Sequence, residues 1–377
     1  MTATTTFNVL CTPGDGVGPE VLRESIATLE VVAEARPVKF QWAEALLGGA
    51  AIDAYGVPLR DEDAELAATS DSVLFGAVGG PKWDNVPAEI RAEAGLLKLR
   101  HRLGLFANLR PIKVFDALVD ASPLKPDVVR GTDMLIVREL TGGLYFGKPS
   151  EIRESNGKRD AIDTLVYSDE EIRRLVDLGF ELAKGRRNKV TSVDKSNVIA
   201  SSRLWRTVAN EVAEHHPDVS LEHALVDSSA MRIILKPTDY DVLVMENMFG
   251  DILSDEAAVL AGSLGMLPSA SLSGQKPSRE GTAALQFGMY EPIHGSAPDI
   301  AGRNLANPCG AILSAAMMLR ISFGMDAEAD AIEQALGQTL DDGVRTQDIA
   351  VAGGSSVGTS EFGDAVRSHL RNVLANA

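Results

Sequence analysis

Short apolar runs of strand length alternate with amphipathic stretches of helical period along most of the chain. Phe7–Thr12 reads as a strand, and a helix then opens at Pro19, whose fixed φ suits a first helical turn, and runs to about Ala35. Val38–Trp42 and Ser72–Val78 predict further strands, as do Leu105–Ile112, Met134–Glu139, Lys189–Val193, Leu221–Val226 and Asp241–Met245. Helical patterning covers Asp169–Arg187, Ser201–His215, Asn307–Phe323, Ala327–Asp341 and Glu361–Ala377. This βαβ rhythm predicts an α/β fold with a largely parallel sheet and helices packed outside it.

Two stretches break the rhythm. Tyr145–Tyr167 is polar and turn-rich around Asn156-Gly157, a dipeptide that favours a type I′ hairpin. A two-stranded ribbon without a core of its own is marginal in water, so a second subunit is expected to cover it. Ser271–Phe287 concentrates Gly, Ser, Pro and charge, which predicts an exposed loop. No internal repeat or low-complexity tract is present.

At 377 residues the chain is long for one core, so two domains or one large α/β unit are expected. A hydrophobic content of 45% with 24% charged residues is that of a soluble globular protein. No apolar run has the length of a bilayer span, and MTATTTFNVL lacks the basic and apolar regions of a secretory signal. A cytoplasmic protein is therefore expected, with Cys11 and Cys309 as buried thiols of a reducing compartment and not a disulfide. The net charge of −17 repels nucleic acid and anionic membrane, and argues against both as partners. It would also repel a small polycarboxylate. An anionic substrate therefore requires a local cluster of arginines.

Candidate chemistry centres on Phe249–Glu256, where Asp251 and Asp255 stand four residues apart. On a helix that spacing stacks both carboxylates on one face. Two hard oxygen ligands so placed suit Mg²⁺ or Mn²⁺, although acidic residues early in a helix also serve simply to complement its dipole. A second feature, Gly14-Asp15-Gly16-Val17-Gly18, follows a strand and precedes a helix as a dinucleotide-binding loop would. Its glycines fall at G-x-G-x-G and not G-x-G-x-x-G, and Pro19 follows directly, so no Rossmann site is expected there.

Seven segments in order along the chain carry a resemblance: Thr12–Glu20, Gly79–Trp83, Leu105–Pro111, Glu139–Gly147, Asp194–Val198, the Asp251/Asp255 stretch, and His294–Gly302. Together they resemble the β-hydroxyacid oxidative decarboxylases, the isocitrate/isopropylmalate dehydrogenase family, with its isopropylmalate-oxidising branch nearest. The resemblance implies a two-domain α/β fold distinct from the Rossmann fold, in a homodimer with shared active sites. One domain would combine residues 1–105 with 262–377. The other would span 106–261 and carry the arm at about 145–167 that pairs across the dimer.

The activity so implied is NAD-dependent oxidative decarboxylation of 3-isopropylmalate to 4-methyl-2-oxopentanoate and CO₂, in leucine biosynthesis. The resemblance assigns the divalent ion, Mg²⁺ or Mn²⁺, to Asp251, Asp255 and Asp227, the last from the other subunit. Read by itself, Asp227 sits at a strand end and serves equally well as a helix N-cap. By resemblance, Arg100, Arg110 and Arg138 hold the substrate carboxylates, which meets the requirement set by the net charge. Lys195 from the partner helps remove the hydroxyl proton, and Tyr145 protonates C3 after CO₂ leaves. Leu96 and Leu97, with Val198 of the second copy, would bury the isopropyl group, where isocitrate-oxidising relatives place serine and asparagine.

For the cofactor, the resemblance implies Val17 and the stretch Gly80–Glu93 on the nicotinamide side, with Glu93 facing the ring. The adenosine side would use His294, Gly295, Ser296, Ala297, Asp299 and Ile300, together with Asn307 and a supporting Glu291. Asp299 stands where NADP-using relatives carry a basic residue; a carboxylate accepts from ribose hydroxyls and repels a 2′-phosphate, so NAD is expected. The sequence departs from the family at Ser196, more often alanine, at Val17, more often isoleucine, and in the length of the 271–287 loop. The alternatives are a paralogue acting on another 3-substituted malate, an inactive regulatory or binding subunit, and a Rossmann reductase using Gly14–Gly18. Retention of Tyr145, Lys195, Asp227, Asp251 and Asp255 together argues against the inactive subunit.

Overall fold

The computed structural model describes residues 4–87, 90–351 and 353–376. Ala88 and Glu89 of the expected nicotinamide-side stretch, the first three residues and Ala377 of the expected last helix lie outside them. In chain order the regular elements are β1 (Thr5–Gly14), α1 (Gly18–Ala35), β2 (Val38–Glu44), α2 (Gly49–Tyr55), α3 (Asp61–Ala68), β3 (Ser72–Ala77) and α4 (Ala92–Arg102). Then come β4 (Ala107–Lys113), α5 (Pro126–Val129), β5 (Asp133–Glu139), β6 (Glu151–Ser155), β7 (Lys158–Ile162), α6 (Asp169–Lys184), β8 (Lys189–Asp194) and α7 (Ala200–Ala213). The chain continues through β9 (Ser220–Leu225), α8 (Val226–Leu235), β10 (Val242–Met245), α9 (Asn247–Ala258), β11 (Pro268–Leu272), β12 (Gly288–Pro292), α10 (Cys309–Ile321), α11 (Asp326–Asp341) and α12 (Thr359–Ala375). It divides into two compact units, Met1–Leu105 with Phe115–Pro123 and Ala261–Ala377, and Phe106–Val114 with Leu124–Leu260.

In the first unit the strands run in the order β2-β1-β3-β12-β11. All neighbours are parallel except β12 and β11. Helices α1, α10, α11 and α12 pack on one another, and α10 also lies against β11 and β12. Helix α10 is apolar on nearly every side and is buried on nearly every side, as that composition requires. A second apolar cluster joins Leu10, Leu47 and Phe75 to Leu96, Leu99 and Leu105, and so fixes α4.

The second unit repeats the plan, with strands ordered β4-β5-β10-β8-β9 and only β4 and β5 antiparallel. Helix α6 begins at a full capping box between Ser168 and Glu171 and buries Ile172, Leu175, Val176 and Phe180 against this sheet. The ribbon β6–β7 turns through Asn156 and Gly157, both at positive φ, with Ser155 opposite Lys158, as a type I′ connection demands. From Glu151 to Ala161 every residue of it is exposed.

Several local expectations change. Strands β11 and β12 were not legible because Pro268–Leu272 lacks β-branched residues, yet all five of its residues are buried. Ser271–Phe287 is not simply an exposed loop: Ser271 and Leu272 belong to β11, and Ala284 and Phe287 are buried. Arg279 pins the connection by pairing with the fully buried Asp71 at 2.7 Å, where Thr282 also donates. Cys11 and Cys309 are free, buried thiols, and burial pushes the Cys11 thiol up to about 12. Among the described residues no helix is long and apolar enough to cross a membrane.

The turn between β1 and α1 is tightly packed. Gly16 adopts φ 58°, and a Cβ there would lie 1.9 Å from the Ser296 carbonyl oxygen. The Val17 N–H donates to that same oxygen at 2.8 Å. The Gly16 turn is thus packed against the chain's own backbone, and the Val17 N–H is already committed there. At Gly18 a Cβ would stand 2.2 Å from the Pro13 carbonyl oxygen and 2.7 Å from the Ala77 nitrogen. Helix propensity alone favours alanine over glycine by about 1 kcal/mol. The Gly18→Ala variant is nevertheless expected to be less stable by about 1–3 kcal/mol, from the clash with unyielding backbone. A urea midpoint equal to or above that of the parent would contradict this packing.

Candidate active site

The second unit assembles a charged cluster on one face of its sheet. Asn108 of β4 lies opposite Arg138 of β5, so Arg110, two residues along β4, projects from the same face as Arg138. Helix α9 packs across β4 and β5. Its residues Asn247, Asp251, Ser254 and Asp255 fall at i, i+4, i+7 and i+8, a single helical face. Arg110 donates to Asp255 at 2.9 Å, to Ser254 Oγ at 2.7 Å and to Asn108 at 2.8 Å. Arg138, almost wholly buried, pairs with Asp251 and donates to Asn247 Oδ1 through both Nε and its terminal nitrogen at 3.1 and 2.9 Å. A buried guanidinium without partners would cost several kcal/mol, and these carboxylates remove that penalty.

Tyr145 follows the Gly142–Gly143 turn and donates its hydroxyl to Asp251 Oδ2 at 2.9 Å. Burial first, and the carboxylate acceptor second, push its phenol above the ordinary tyrosine value. The group is therefore a neutral O–H donor throughout the neutral range. Elsewhere in this unit Lys195, after β8, pairs with Asp227 at 2.7 Å. That ammonium holds the Asp227 carboxyl below the usual carboxylate range. Asp227 lies in the first turn of α8; the N-cap is Leu225, so the capping reading does not hold. Val198 is 61% exposed.

In the first unit Asp15 ties the start of α2 to the Gly79 loop. Its carboxylate accepts from the N–H groups of Gly49, Ala50 and Gly79 at 2.7–2.8 Å. Burial pushes this carboxyl up, opposed by those donors. The Glu93 carboxylate lies over Gly79, and Gly80 follows in the same loop. Leu96 is buried within the core, whereas its neighbour Leu97 is 51% exposed, so α4 presents only the second leucine outward. Arg100 pairs with Glu291 at 2.6 Å.

The stretch from His294 to Asn307 makes packing and hydrogen-bond contacts within the first unit. Val17 is buried, and half-buried Ala297 and Ile300 pack against its cluster. Ser296 is buried with its carbonyl committed to Val17, while Gly295 and Asp299 are exposed. Asn307 accepts from the Cys309 N–H at 3.0 Å and donates to Asp348 at 3.0 Å, so its side chain links the first N–H of α10 to Asp348. His294 Nδ1 lies 2.8 Å from the Gly295 carbonyl oxygen, and burial pulls its pKa down. The ring is neutral, with Nε2 left as the acceptor.

Sequence reasoning missed Asn108, Ser254, Asn247 and Asp15. The helical spacing from Asn247 to Asp255 and the Asn108-x-Arg110 strand pair were signals that would have found the first three. Asp15 had been read only as part of a glycine turn. A spectrophotometric titration is expected to show Tyr145 ionising above the ordinary tyrosine range, so the 295 nm amplitude lost in the Tyr145→Phe variant should come from the high-pH end of the curve. Amplitude lost within or below the ordinary range would contradict the raised phenol.

The model of the isocitrate/isopropylmalate dehydrogenase family matches residues 8–366. A 3-isopropylmalate dehydrogenase of Geobacillus kaustophilus (strain HTA426) is 55% identical over 371 residues, 98% of this chain and 97% of the relative. The protein of the same name from Aquifex aeolicus (strain VF5) is 51% identical over 367 residues, 97% of this chain and 98% of the relative. Among solved structures, isocitrate dehydrogenase from Methylococcus capsulatus matches with a TM-score of 0.81 at 29% identity, covering 97% of this chain and 99% of that one. An apo β-decarboxylating dehydrogenase from Thermococcus kodakarensis matches with a TM-score of 0.78 at 33% identity, covering 98% and 97%. The chain belongs to the isocitrate/isopropylmalate dehydrogenase family.

Proposed function

We infer that this chain catalyses the NAD-dependent oxidative decarboxylation of 3-isopropylmalate to 4-methyl-2-oxopentanoate and CO₂, the oxidative step of leucine biosynthesis. The observation that carries the reading is the Arg110–Asp255 and Arg138–Asp251–Tyr145 cluster, in a chain at least half identical to relatives bearing the 3-isopropylmalate dehydrogenase name. Two carboxylates and two guanidiniums balance in charge. A dication and a dianionic malate add equal and opposite charge, so the loaded cluster remains balanced in a protein of net charge −17.

The donor set fits a hard divalent ion such as Mg²⁺ or Mn²⁺. Asp251 and Asp255 offer oxygen ligands one helical turn apart, and the Asp255 side chain is 67% exposed. Among the described residues no group of three or more acidic, His or Cys side chains stands ready for a metal. A third ligand must come from elsewhere, and Asp227 of a second copy supplies one. The bound ion would act as a Lewis acid on the C2 oxygen, and NAD would accept the C2 hydride. Arg110 and Arg138, with Arg100, hold the two carboxylates. Lys195 takes up the hydroxyl proton, and the Tyr145 phenol delivers a proton to C3 once CO₂ has left. Leu97 and Val198 face the isopropyl group, whose burial contributes about 2 kcal/mol and leaves a third carboxylate without a partner. The exposed Asp299 carboxylate accepts from ribose hydroxyls and repels a 2′-phosphate, which favours NAD over NADP.

The working unit is a homodimer. Helices α8 and α9 pack together and leave Met231, Leu235 and Ile252 at least 60% exposed, and the ribbon β6–β7 is exposed from Glu151 to Ala161.

Purified protein is expected to reduce NAD with 3-isopropylmalate, to prefer it to isocitrate and tartrate, and to stop when a chelator is added. The Asp255→Asn variant should lose at least about 100-fold in kcat. Isocitrate turned over in preference, or full activity without metal, would overturn the reading. Shared sites are tested by mixing two inactive variants, Asp251→Asn and Lys195→Met, under conditions that exchange subunits. A hybrid keeps one intact site, so activity should return; a mixture that stays inactive would reject a site built from two copies.

A further inference from the structure

Behind the charged cluster of the second unit lies a buried polar network that the reaction above does not use. Glu139, fully buried, accepts from the Thr141 N–H at 2.8 Å, the Thr141 hydroxyl at 2.5 Å and the Gly142 N–H at 2.7 Å. Glu246, also buried, caps α9 by accepting from the Phe249 and Met248 N–H groups at 3.1 and 3.3 Å. Between the two carboxylates stands the hydroxyl of Tyr167, 3.4 Å from Glu139 and 3.3 Å from Glu246. The same oxygen accepts from the Asn247 N–H at 2.9 Å. Its ring is held edge-on by Trp205, with centroids 5.7 Å apart.

This one hydroxyl is tied to the end of β5 through Glu139 and to the start of α9 through Glu246 and the Asn247 N–H. Asn247 continues the chain of contacts: its Oδ1 accepts both bonds from Arg138, and its Nδ2 donates to the Gly142 carbonyl at 3.2 Å. The Gly142–Gly143 turn that delivers Tyr145 lies directly against the phenol. A Cβ at Gly143 would stand 2.4 Å from the Tyr167 oxygen, and one at Gly142 2.7 Å from its ring. Gly143 has φ 76°, so only glycine fits both the conformation and the space.

We propose that Tyr167 is a positioning residue for the oxidative decarboxylation: through Asn247 it orients Arg138, and through the Gly142–Gly143 turn it sets Tyr145. The proposal rests on the function inferred above. Rigid support of this kind decides whether a substrate anchor and a proton donor lie within reach of their targets.

Tyr167→Phe removes one oxygen and keeps the ring against Trp205. In the full chain, KM for 3-isopropylmalate should rise about tenfold and kcat should fall about tenfold, while KM for NAD stays within about twofold. A merely structural role would reduce the active fraction and leave both KM values where they were. An unchanged KM for the malate overturns the proposal. Hydrogen–deuterium exchange provides a readout without substrate: residues 141–147 and 246–252 should exchange faster in the variant, and α10 should not. Equal exchange in those two segments would also overturn it. A parent protein inert towards 3-isopropylmalate would reject the inferred function, and the exchange measurement would still decide the role of Tyr167. Should Tyr167→Phe not fold, Asn247→Leu leaves the hydroxyl in place and cuts the link to Arg138. The same rise in malate KM is expected there, and its absence overturns the relay.

Discussion

Two aspartates one turn apart on α9 neutralise two arginines that rise from adjacent antiparallel strands, and the second unit is arranged around that exchange of charge. The arginines sit where burial would be costly without partners. The aspartates sit on a helix whose first turn is capped by another buried carboxylate, Glu246. Antiparallel pairing of β4 with β5 is what brings both guanidiniums to one face.

Backbone constraints hold this arrangement more than side-chain bulk does. In the first unit a single carboxylate, Asp15, gathers the first two N–H groups of α2 and that of Gly79, and the Gly16 turn is packed against the Ser296 carbonyl. In the second, the Tyr167 hydroxyl plays a comparable part between two buried glutamates. Each is a polar group whose burial is tolerated because its hydrogen-bonding capacity is met by backbone or by neighbours. Each fixes loops that no apolar contact could fix, since loops carry their own donors and acceptors inward.

The regular parts of the fold were open to reading because period and punctuation agree. Helix α6 shows an amphipathic repeat behind a capping box, and β6–β7 is announced by Asn156-Gly157. Where the two signals part, reading failed. Pro268–Leu272 is a buried strand made of small residues, and its long connection to β12, though exposed at more than half of its residues, also carries Arg279 and Thr282 to a buried aspartate. At the site, Asp251 and Asp255 were visible from spacing, whereas Leu96 could not be separated from Leu97. Adjacent leucines on a helix look alike until the core cluster claims one of them.

Helical and strand periods, cap and turn residues, and the ordered motifs from Thr12 to Gly302 are local properties, and from them the sequence by itself determined the α/β plan and the family, and named the charged residues proposed for the site. Only the tertiary structure decided which partner each of those charges meets: Arg138 with Asp251 and Asn247, Lys195 with Asp227, Arg100 with Glu291, Asn307 with the start of α10. The reason is physical. A hydrogen bond or ion pair depends on distances of a few ångströms between residues that lie tens to hundreds of positions apart in the chain, and sheet register sets those distances.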